Sequence, residues 1–222
     1  MYPKYKLSAI LFALGGIALH AQSDVILFNS VPVDPDRYED IKGSPYIFKD
    51  WMKADIIPTA GEKIEGVEIN FNGYTQQFEV RKNSNYIELR EFDFIGIKLH
   101  ECKSTCLTQS FLKYSHPKRK NRYPLFVYNG PKYKLIKDFR TSLVNNKVES
   151  PGKTVNFESF NDVATYYLLR DQSLELIKLT RKAMLEHLAV PEAESYVKEA
   201  KLDLSTEEGA CQLFQWLEQN EK

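Results

Sequence analysis

Apolar and polar residues alternate in short runs across the first two-thirds of the chain. Turn residues separate these runs, and the strongest turn signal is Asn72-Gly73, a dipeptide typical of β-hairpins. Asn129-Gly130-Pro131 and Asp171-Gln172 punctuate later runs in the same way. Regularly spaced short strands with such turns predict an antiparallel meander. The predicted strands cover residues 55–58, 63–71, 74–80, 86–89, 94–99, 123–128, 133–139, 165–169 and 174–179.

Each predicted strand has one polar face, so we expect the sheet to pack on one side only. Such a sheet either stays open or curls into a half-barrel over its apolar side. Residues 145–151 form a polar break and are the strongest candidate for a boundary within the chain.

The last forty residues change from a strand period to a helical period. Thr180 is placed to cap a helix over residues 181–189, and Pro191 suits the first position of a second helix. Ser205 with Glu208 three residues later predicts a capping box for a third helix, in which Cys211, Phe214 and Leu217 share one face. We therefore predict an α+β protein, with an antiparallel β domain over residues 22–179 and a three-helix module over residues 180–222 packed on the sheet.

The first 21 residues have the order of a cleaved signal peptide. Lys4 and Lys6 precede an apolar run, too short to span a bilayer, that ends in small residues at Ala18 and Ala21. Cleavage after Ala21 leaves a mature chain exported to the periplasm, the outer membrane or the extracellular medium.

The charge balance argues against a nucleic-acid partner. The whole chain carries 30 basic and 30 acidic residues, and loss of Lys4 and Lys6 leaves the mature chain slightly acidic. Nucleic-acid-binding proteins usually carry a strong basic excess.

Two stretches carry a resemblance. Residues 43–48, with the sequence GSPYIF, precede the Asn70–Tyr74 turn region, and residues 196–204, with the sequence YVKEAKLDL, precede the last helix. In this order they resemble a family of uncharacterised exported proteins from Bacteroidetes. The resemblance implies an envelope location and no assigned activity. Residues 100–122 depart from that family as an insertion.

The cysteines suggest a local disulfide. In an oxidising compartment Cys102 and Cys106 are the natural pair, provided that the three residues between them turn, because a straight strand would hold them about 13 Å apart. This pairing leaves Cys211 over, on the apolar face of the last helix.

A cluster of possible metal ligands overlaps this pair: His100, Cys102, Cys106 and His116. These side-chain types bind zinc, but their spacing matches no standard zinc finger, and exported thiols pair more readily than they bind metal. A cysteine nucleophile with His116 as its base is the corresponding enzymatic hypothesis, although nothing in the sequence orients such a pair. We predict no metal and no cofactor.

Two further groups are candidate contact residues. The basic loop residues Lys118, Arg119, Lys120 and Arg122 form either a contact for anionic lipid phosphates or a solvated loop tip. The aromatic residues Tyr46, Phe48 and Trp51 form either an exposed contact surface or a buried plug at one end of the sheet.

No nucleophile elbow, Walker loop, zinc-protease motif or dinucleotide fingerprint occurs in the sequence. The sequence therefore favours a non-catalytic binding or scaffold protein of the cell envelope, with a protein partner and a possible lipid or membrane-surface contact. The alternative is a periplasmic carrier of an apolar, lipid-like ligand, which would need an apolar pocket. A thiol or metal enzyme is the third hypothesis.

Overall fold

The computed structural model describes residues 30–82, 85–90, 94–100, 109–119 and 122–220. Within these ranges eleven strands form one open antiparallel sheet, and three helices follow it. The strands are β1 (Val31–Pro32), β2 (Met52–Pro58), β3 (Ile64–Asn72), β4 (Gln77–Lys82), β5 (Asn85–Glu88), β6 (Phe94–Leu99), β7 (Ser110–Leu112), β8 (Leu125–Asn129), β9 (Tyr133–Ser150), β10 (Lys153–Arg170) and β11 (Ser173–Ile177). The helices are α1 (Arg181–Leu188), α2 (Pro191–Glu199) and α3 (Glu207–Asn220). The prediction of an α+β fold is confirmed.

Sequence-adjacent strands pair along most of the sheet, whose order is β1-β5-β4-β3-β2-β6-β7-β8-β9-β10-β11. The predicted hairpin turns are present. Asp171 and Gln172 both have positive φ, as a two-residue hairpin turn with the sheet's twist requires. The turn after Asn72 is longer than predicted, because the Asn72 side chain accepts hydrogen bonds from the backbone N–H groups of Tyr74 and Thr75. Strand β4 therefore begins at Gln77.

Aromatic side chains fill the centre of the core. Phe78 lies at the middle of this group, with its ring centroid 4.9 Å from those of Phe71 and Phe111 and 5.5 Å from that of Phe94. The helices close the same core further along the sheet. The Phe214 ring of α3 lies 5.5 Å from the Tyr128 ring and 5.5 Å from the Tyr133 ring. Sheet and helices thus share one hydrophobic core.

The helix caps match the prediction at α1 and differ at α3. Thr180 Oγ1 accepts a hydrogen bond from the backbone N–H of Ala183, as predicted. At α3 the cap is Thr206, whose Oγ1 accepts from the backbone N–H of Gly209, while Ser205 bonds to Asp203 instead. Gly209 is required there, since a Cβ atom would lie 2.1 Å from the carbonyl oxygen of Asp203. The predicted Ser205 capping box is therefore wrong.

The polar side of the sheet is also covered, which corrects the expectation of one-sided packing. Asn70, Asn72 and Glu79 are 2%, 0% and 0% exposed, although all three belong to strands with a polar face. Residues 30–51, here called the N-terminal segment, lie over them. Two hydrogen bonds from this segment to Glu79, together with one from Asn72, satisfy the buried carboxylate and are described below.

The predicted boundary at residues 145–151 is wrong. Strands β9 and β10 pair without a register shift from Tyr133↔Arg170 to Ser150↔Lys153, so the polar residues lie inside a single long hairpin. Pro151 and Gly152 form its turn. Within the described ranges no helix is both long and apolar enough to cross a membrane.

A second, smaller apolar cluster lies at strands β8, β9 and β11, around Phe126, Ile136 and Leu174. A buried ion pair stands beside it. The Arg119 side chain is 0% exposed and donates to Asp138 through Nε (3.1 Å to Oδ2) and Nη2 (2.6 Å to Oδ1). Burial raises the pKa of the Asp138 carboxyl, although the hydrogen bond from Arg119 acts in the opposite direction.

This ion pair generates a prediction about stability. Arg119→Met would leave the Asp138 carboxylate buried without its partner, and we expect a loss of about 3–5 kcal/mol in the free energy of unfolding. The double variant Arg119→Met/Asp138→Leu should recover most of that loss, because an apolar pair leaves no uncompensated charge. Urea unfolding of both variants measures the difference. Equal stability of the two variants would contradict the assignment.

Protonation provides an internal control on the single variant. A buried acid with a raised pKa is destabilising when ionised and harmless when protonated, so stability should rise as the pH falls through the folded-state pKa. We therefore expect Arg119→Met to regain stability at about pH 5 relative to pH 7. The double variant should show no such gain.

Candidate functional site

The long β9–β10 hairpin projects beyond the core. Strand β8 pairs with β9 only as far as Lys137, and β11 pairs with β10 only from Tyr166 onward. Burial in β9 ends at Thr141, and the following nine residues to Ser150 are exposed or half-buried. We call residues 142–161 the β-arm. At about 3.3 Å per residue its strands reach roughly 30 Å from the body.

One face of the β-arm carries a row of exposed apolar side chains, with Asn146 and Ser159 hydrogen-bonded to each other among them. Opposite residues of an antiparallel pair point to the same face, and alternate residues of each strand share it. The register pairs Val148 with Val155 and Asn146 with Phe157, so Val144, Val148, Val155 and Phe157 lie on one face. The three valines are 37%, 49% and 41% exposed, and Val163 continues the row at 52%. Exposed apolar side chains grouped in this way mark interaction surfaces more often than singly scattered ones do.

The opposite face of the β-arm is polar beyond Leu143 and Phe160, which lie at its base. It carries Asn145, Lys147, Glu149, Thr154 and Asn156, all exposed. Lys147 and Glu149 form an ion pair with Nζ 2.5 Å from Oε1. The β-arm is therefore an amphipathic two-stranded ribbon.

Two contacts fix the base of the β-arm to the body. The Phe160 ring lies 5.2 Å from the Tyr38 ring and 5.6 Å from the Tyr74 ring. Lys42 adds backbone bonds on the outer edge of β10: its N–H donates to Glu158 O (3.0 Å) and its carbonyl accepts from Phe160 N–H (2.8 Å). The orientation of the β-arm thus depends on the N-terminal segment, which supplies Tyr38 and Lys42.

The turn after β3 holds the outer edge of β9 at the same level. The Thr141 N–H donates to Gly73 O at 3.0 Å, and Gln76 Nε2 donates to Phe139 O at 3.0 Å. Position 73 accepts only glycine without rearrangement, because a Cβ atom would lie 2.4 Å from the Phe139 ring.

A buried carboxylate holds the N-terminal segment in place. Glu79 Oε1 accepts from Arg37 Nη2 (2.5 Å) and Asn72 Nδ2 (2.8 Å), and Oε2 accepts from the Tyr46 hydroxyl (2.9 Å). Burial and then the Glu79 charge raise the pKa of Tyr46. Glu79 also contributes, after burial, to a raised pKa of neighbouring Glu88. Since Arg37 and Tyr46 both belong to the segment, Glu79 attaches it to the sheet through a buried charge, in addition to backbone hydrogen bonds such as that from Gly73 N–H to Pro45 O.

A cleft of about 390 Å³ lies where the turn meets the β-arm. Its lining combines apolar surface with polar side chains, and Gln76 Oε1 is buried there without a hydrogen-bond partner among the described residues. The lining residues are Gly73, Tyr74, Gln76, Arg140, Thr141, Ser142, Asn161 and Val163. The cleft is open to solvent, so it does not enclose a ligand as a carrier cavity would.

The basic loop does not form the predicted contact surface as a whole. Arg119 is buried in its pair with Asp138, which removes it from any surface patch and corrects that part of the prediction. Lys118 Nζ donates to the carbonyl of Leu174 at 3.1 Å, and Arg122 is exposed. Lys120 lies outside the described residues.

Of the four candidate metal ligands, the two that belong to the described residues, His100 and His116, are not brought together. His100 follows β6 and bonds through Nε2 to Asp55 Oδ1, whereas His116 follows β7 and stacks on Tyr114 with ring centroids 6.4 Å apart. Because β6 and β7 are antiparallel, the two histidines lie beyond opposite ends of this strand pair. Cys102 and Cys106 lie outside the described residues.

Asp55 is a structural acceptor in this part of the sheet. Burial alone would raise its pKa, but hydrogen bonds from the Gly66 backbone N–H, His100 and Lys63 outweigh burial and lower it. Within the described ranges no group of three or more metal-binding side chains converges.

The aromatic candidates are half-buried. The Tyr46 hydroxyl is bound to Glu79, the Phe48 ring packs 6.1 Å from the Phe111 ring, and the Trp51 ring lies 5.4 Å from the Tyr86 ring. All three make internal contacts that hold the N-terminal segment on the sheet.

The β-arm itself was not predicted as a functional element. Its signal in the sequence is the alternation of Val144, Asn146 and Val148 before Pro151-Gly152, and of Val155 and Phe157 after it. The polar residues between them favoured a boundary, because exposed polar positions of a strand resemble those of a linker.

Comparison with protein-family models, with curated proteins and with solved structures found no match for this chain. The candidate site therefore rests on the geometry of the described residues.

The Glu79 attachment generates a second prediction. Glu79→Gln keeps the shape but removes the charge that Arg37 and Tyr46 face, and we expect a loss of about 2–3 kcal/mol in the free energy of unfolding. The N-terminal segment should also become the first site of limited proteolysis. Glu68→Gln is the matched control, since the Glu68–Arg81 ion pair on the same strands is solvent-exposed and should matter little. Equal protease resistance of both variants would contradict this role of Glu79.

Cys211 generates a third prediction. It is fully buried on α3, with Sγ 3.7 Å from the carbonyl oxygen of Val127, and it is disulfide-bonded, so the expectation that Cys211 is left over is wrong. Non-reducing peptide mapping of the mature protein should find Cys211 in a cross-linked peptide. Recovery of Cys211 as a thiol, together with a peptide joining Cys102 to Cys106, would contradict the expected result.

Proposed function

We propose that this protein is a non-catalytic binding or scaffold module of the bacterial envelope, and that the apolar face of the β-arm contacts its protein partner. The single observation that carries the proposal is the amphipathic β-arm, which extends roughly 30 Å beyond the core with three exposed valines on one face. An isolated two-stranded ribbon is marginally stable in water, so a partner that covers its apolar face would stabilise it.

The contacts at the base of the β-arm are evidence that the β-arm holds its apolar face in a fixed position for a partner. Tyr38, Tyr74 and Lys42 hold Phe160 and its neighbours, and Glu79 in turn holds the N-terminal segment. A surface carried on a fixed base loses less conformational entropy on binding than one on a free loop. The envelope location in this proposal rests on the signal-peptide pattern of residues 1–21.

The open shape of the cleft supports binding of a protein over carriage of a lipid. A carrier needs an apolar cavity that encloses its ligand. The cleft beside the β-arm is open to solvent instead, and its lining includes Arg140 and Gln76, whose Oε1 has no hydrogen-bond partner among the described residues. Val144, Val148 and Val155 are exposed on the β-arm, where they can meet another macromolecule.

The experiment compares two double variants in pull-downs of the tagged mature protein from its native envelope in gentle detergent. Val148→Asp/Val155→Asp places two charges on the apolar face, and Asn145→Asp/Asn156→Asp places the same charges on the polar face. We expect the first variant to lose a stoichiometric protein partner at least tenfold, and the second to retain it, because charge is costly only where apolar surface is buried. Far-UV circular dichroism checks that both variants are folded.

The outcomes are distinct. Equal capture by both variants would overturn the assignment of the apolar face. Co-purification of lipid without a protein partner, in mass spectrometry of the extracts, would favour the carrier instead.

A further inference from the structure

The structure defines which residues of β9 direct their backbone N–H and C=O groups away from β10, along the outer edge of the strand. At its base the Thr141 N–H and the Phe139 carbonyl both bond away from β10, to Gly73 and Gln76. Residues along a strand alternate in the side to which they direct these groups. With no register shift in β9–β10, the outward residues that follow are Leu143, Asn145, Lys147 and Glu149. In the described part of the chain no strand lies against them.

These four outward residues are symmetric about Asn146. If a second copy lies antiparallel along this edge with a two-fold axis at Asn146, Leu143 meets Glu149 of the second copy and Asn145 meets its Lys147. Each such pair exchanges two backbone hydrogen bonds, which gives about eight across the edge. An open strand edge is a template for this kind of pairing.

The side-chain contacts that a two-fold axis at Asn146 would create are also favourable. Val144 meets Val148 of the second copy on the apolar face, and this contact occurs twice. On the polar face, Lys147 and Glu149 of each copy already form an ion pair, so neither arm brings a net charge from these two residues to the contact. The two apolar faces then join into one four-stranded surface.

Neighbouring axes fit less well. An axis at Val148 pairs only Lys147 with Glu149, because β9 ends at Ser150. An axis at Asn145 places Glu149 opposite Thr141, whose N–H is already bound to Gly73. The axis at Asn146 uses every outward group of the free edge.

We propose that this protein forms a two-fold symmetric dimer in which β9 of one copy pairs antiparallel with β9 of a second copy about Asn146. The dimer rests on the same β-arm as the proposed function and doubles its apolar face. Its test uses purified protein alone, so a monomeric result overturns the dimer without touching partner binding, and the pull-down tests the partner without requiring the dimer.

Cysteine cross-linking tests the axis directly. In Asn146→Cys the two new cysteines face each other in a non-hydrogen-bonded pair, with Cα atoms about 4.5 Å apart, within the range of a disulfide. Mild oxidation of purified mature protein should give a covalent dimer whose cross-linked peptide joins residue 146 to itself. In the control Ser142→Cys the same residue of the second copy lies about 26 Å away, so the corresponding peptide should be absent. A mixture of Ser142→Cys and Ser150→Cys should cross-link.

Proline substitution tests the edge without a new thiol. Asn145→Pro removes an outward N–H of β9, and Asn156→Pro makes the same change on the outer edge of β10. Sedimentation should show a dimer for the natural chain and for Asn156→Pro, and a dissociation constant at least tenfold higher for Asn145→Pro. A natural chain that is monomeric at its highest soluble concentration, or residue-142 cross-links as frequent as those of residue 146, would overturn the proposal.

Discussion

The pairing of β9 with β10 along eighteen residues joins two parts of the molecule that have different surroundings. In its first half the hairpin lies within the sheet, between β8 on one side and the edge strand β11 on the other, and α3 packs against it. In its second half the same ladder continues with neither neighbour. Because the register does not shift between the halves, the faces set in the core are carried into the β-arm. The row that contains Ile136 in the smaller cluster continues as Val144 and Val148 in solvent.

The attachment of the N-terminal segment follows from a buried charge. A carboxylate at 0% exposure costs free energy unless donors surround it, and Glu79 has donors from Arg37, Tyr46 and Asn72. Two of these donors belong to the segment, so the segment must lie across the sheet for the carboxylate to be satisfied. Tyr38 and Lys42, which hold the base of the β-arm, are placed by the same arrangement. A polar interaction far from the tip thereby orients the apolar surface.

The C-terminal helices close the core in a comparable way at the other end. The Glu218 carboxylate accepts from the backbone N–H groups of Lys132 and Tyr133, so the end of α3 is bound to the turn that starts β9. Burial, and then the nearby Glu218 charge, raise the pKa of the Tyr128 hydroxyl to about 12. At the start of α3, Glu207 accepts from Lys137 and from the Tyr166 hydroxyl. Both ends of the helix are thus held on the hairpin that carries the β-arm.

The sequence by itself determined most of the strands, their turns and the three helices, because these depend on local periodicity and on residues such as Asn72-Gly73, Asp171-Gln172 and Thr180. The tertiary structure decided where a polar residue is buried and where an apolar residue is exposed. Arg119 looked like a loop cation and is the buried partner of Asp138, nineteen positions later in the chain. Residues 145–151 looked like a linker and are the far end of the longest hairpin. The two-residue period of a strand shows which residues share a face. Only the neighbouring strands and segments decide whether that face meets protein or water.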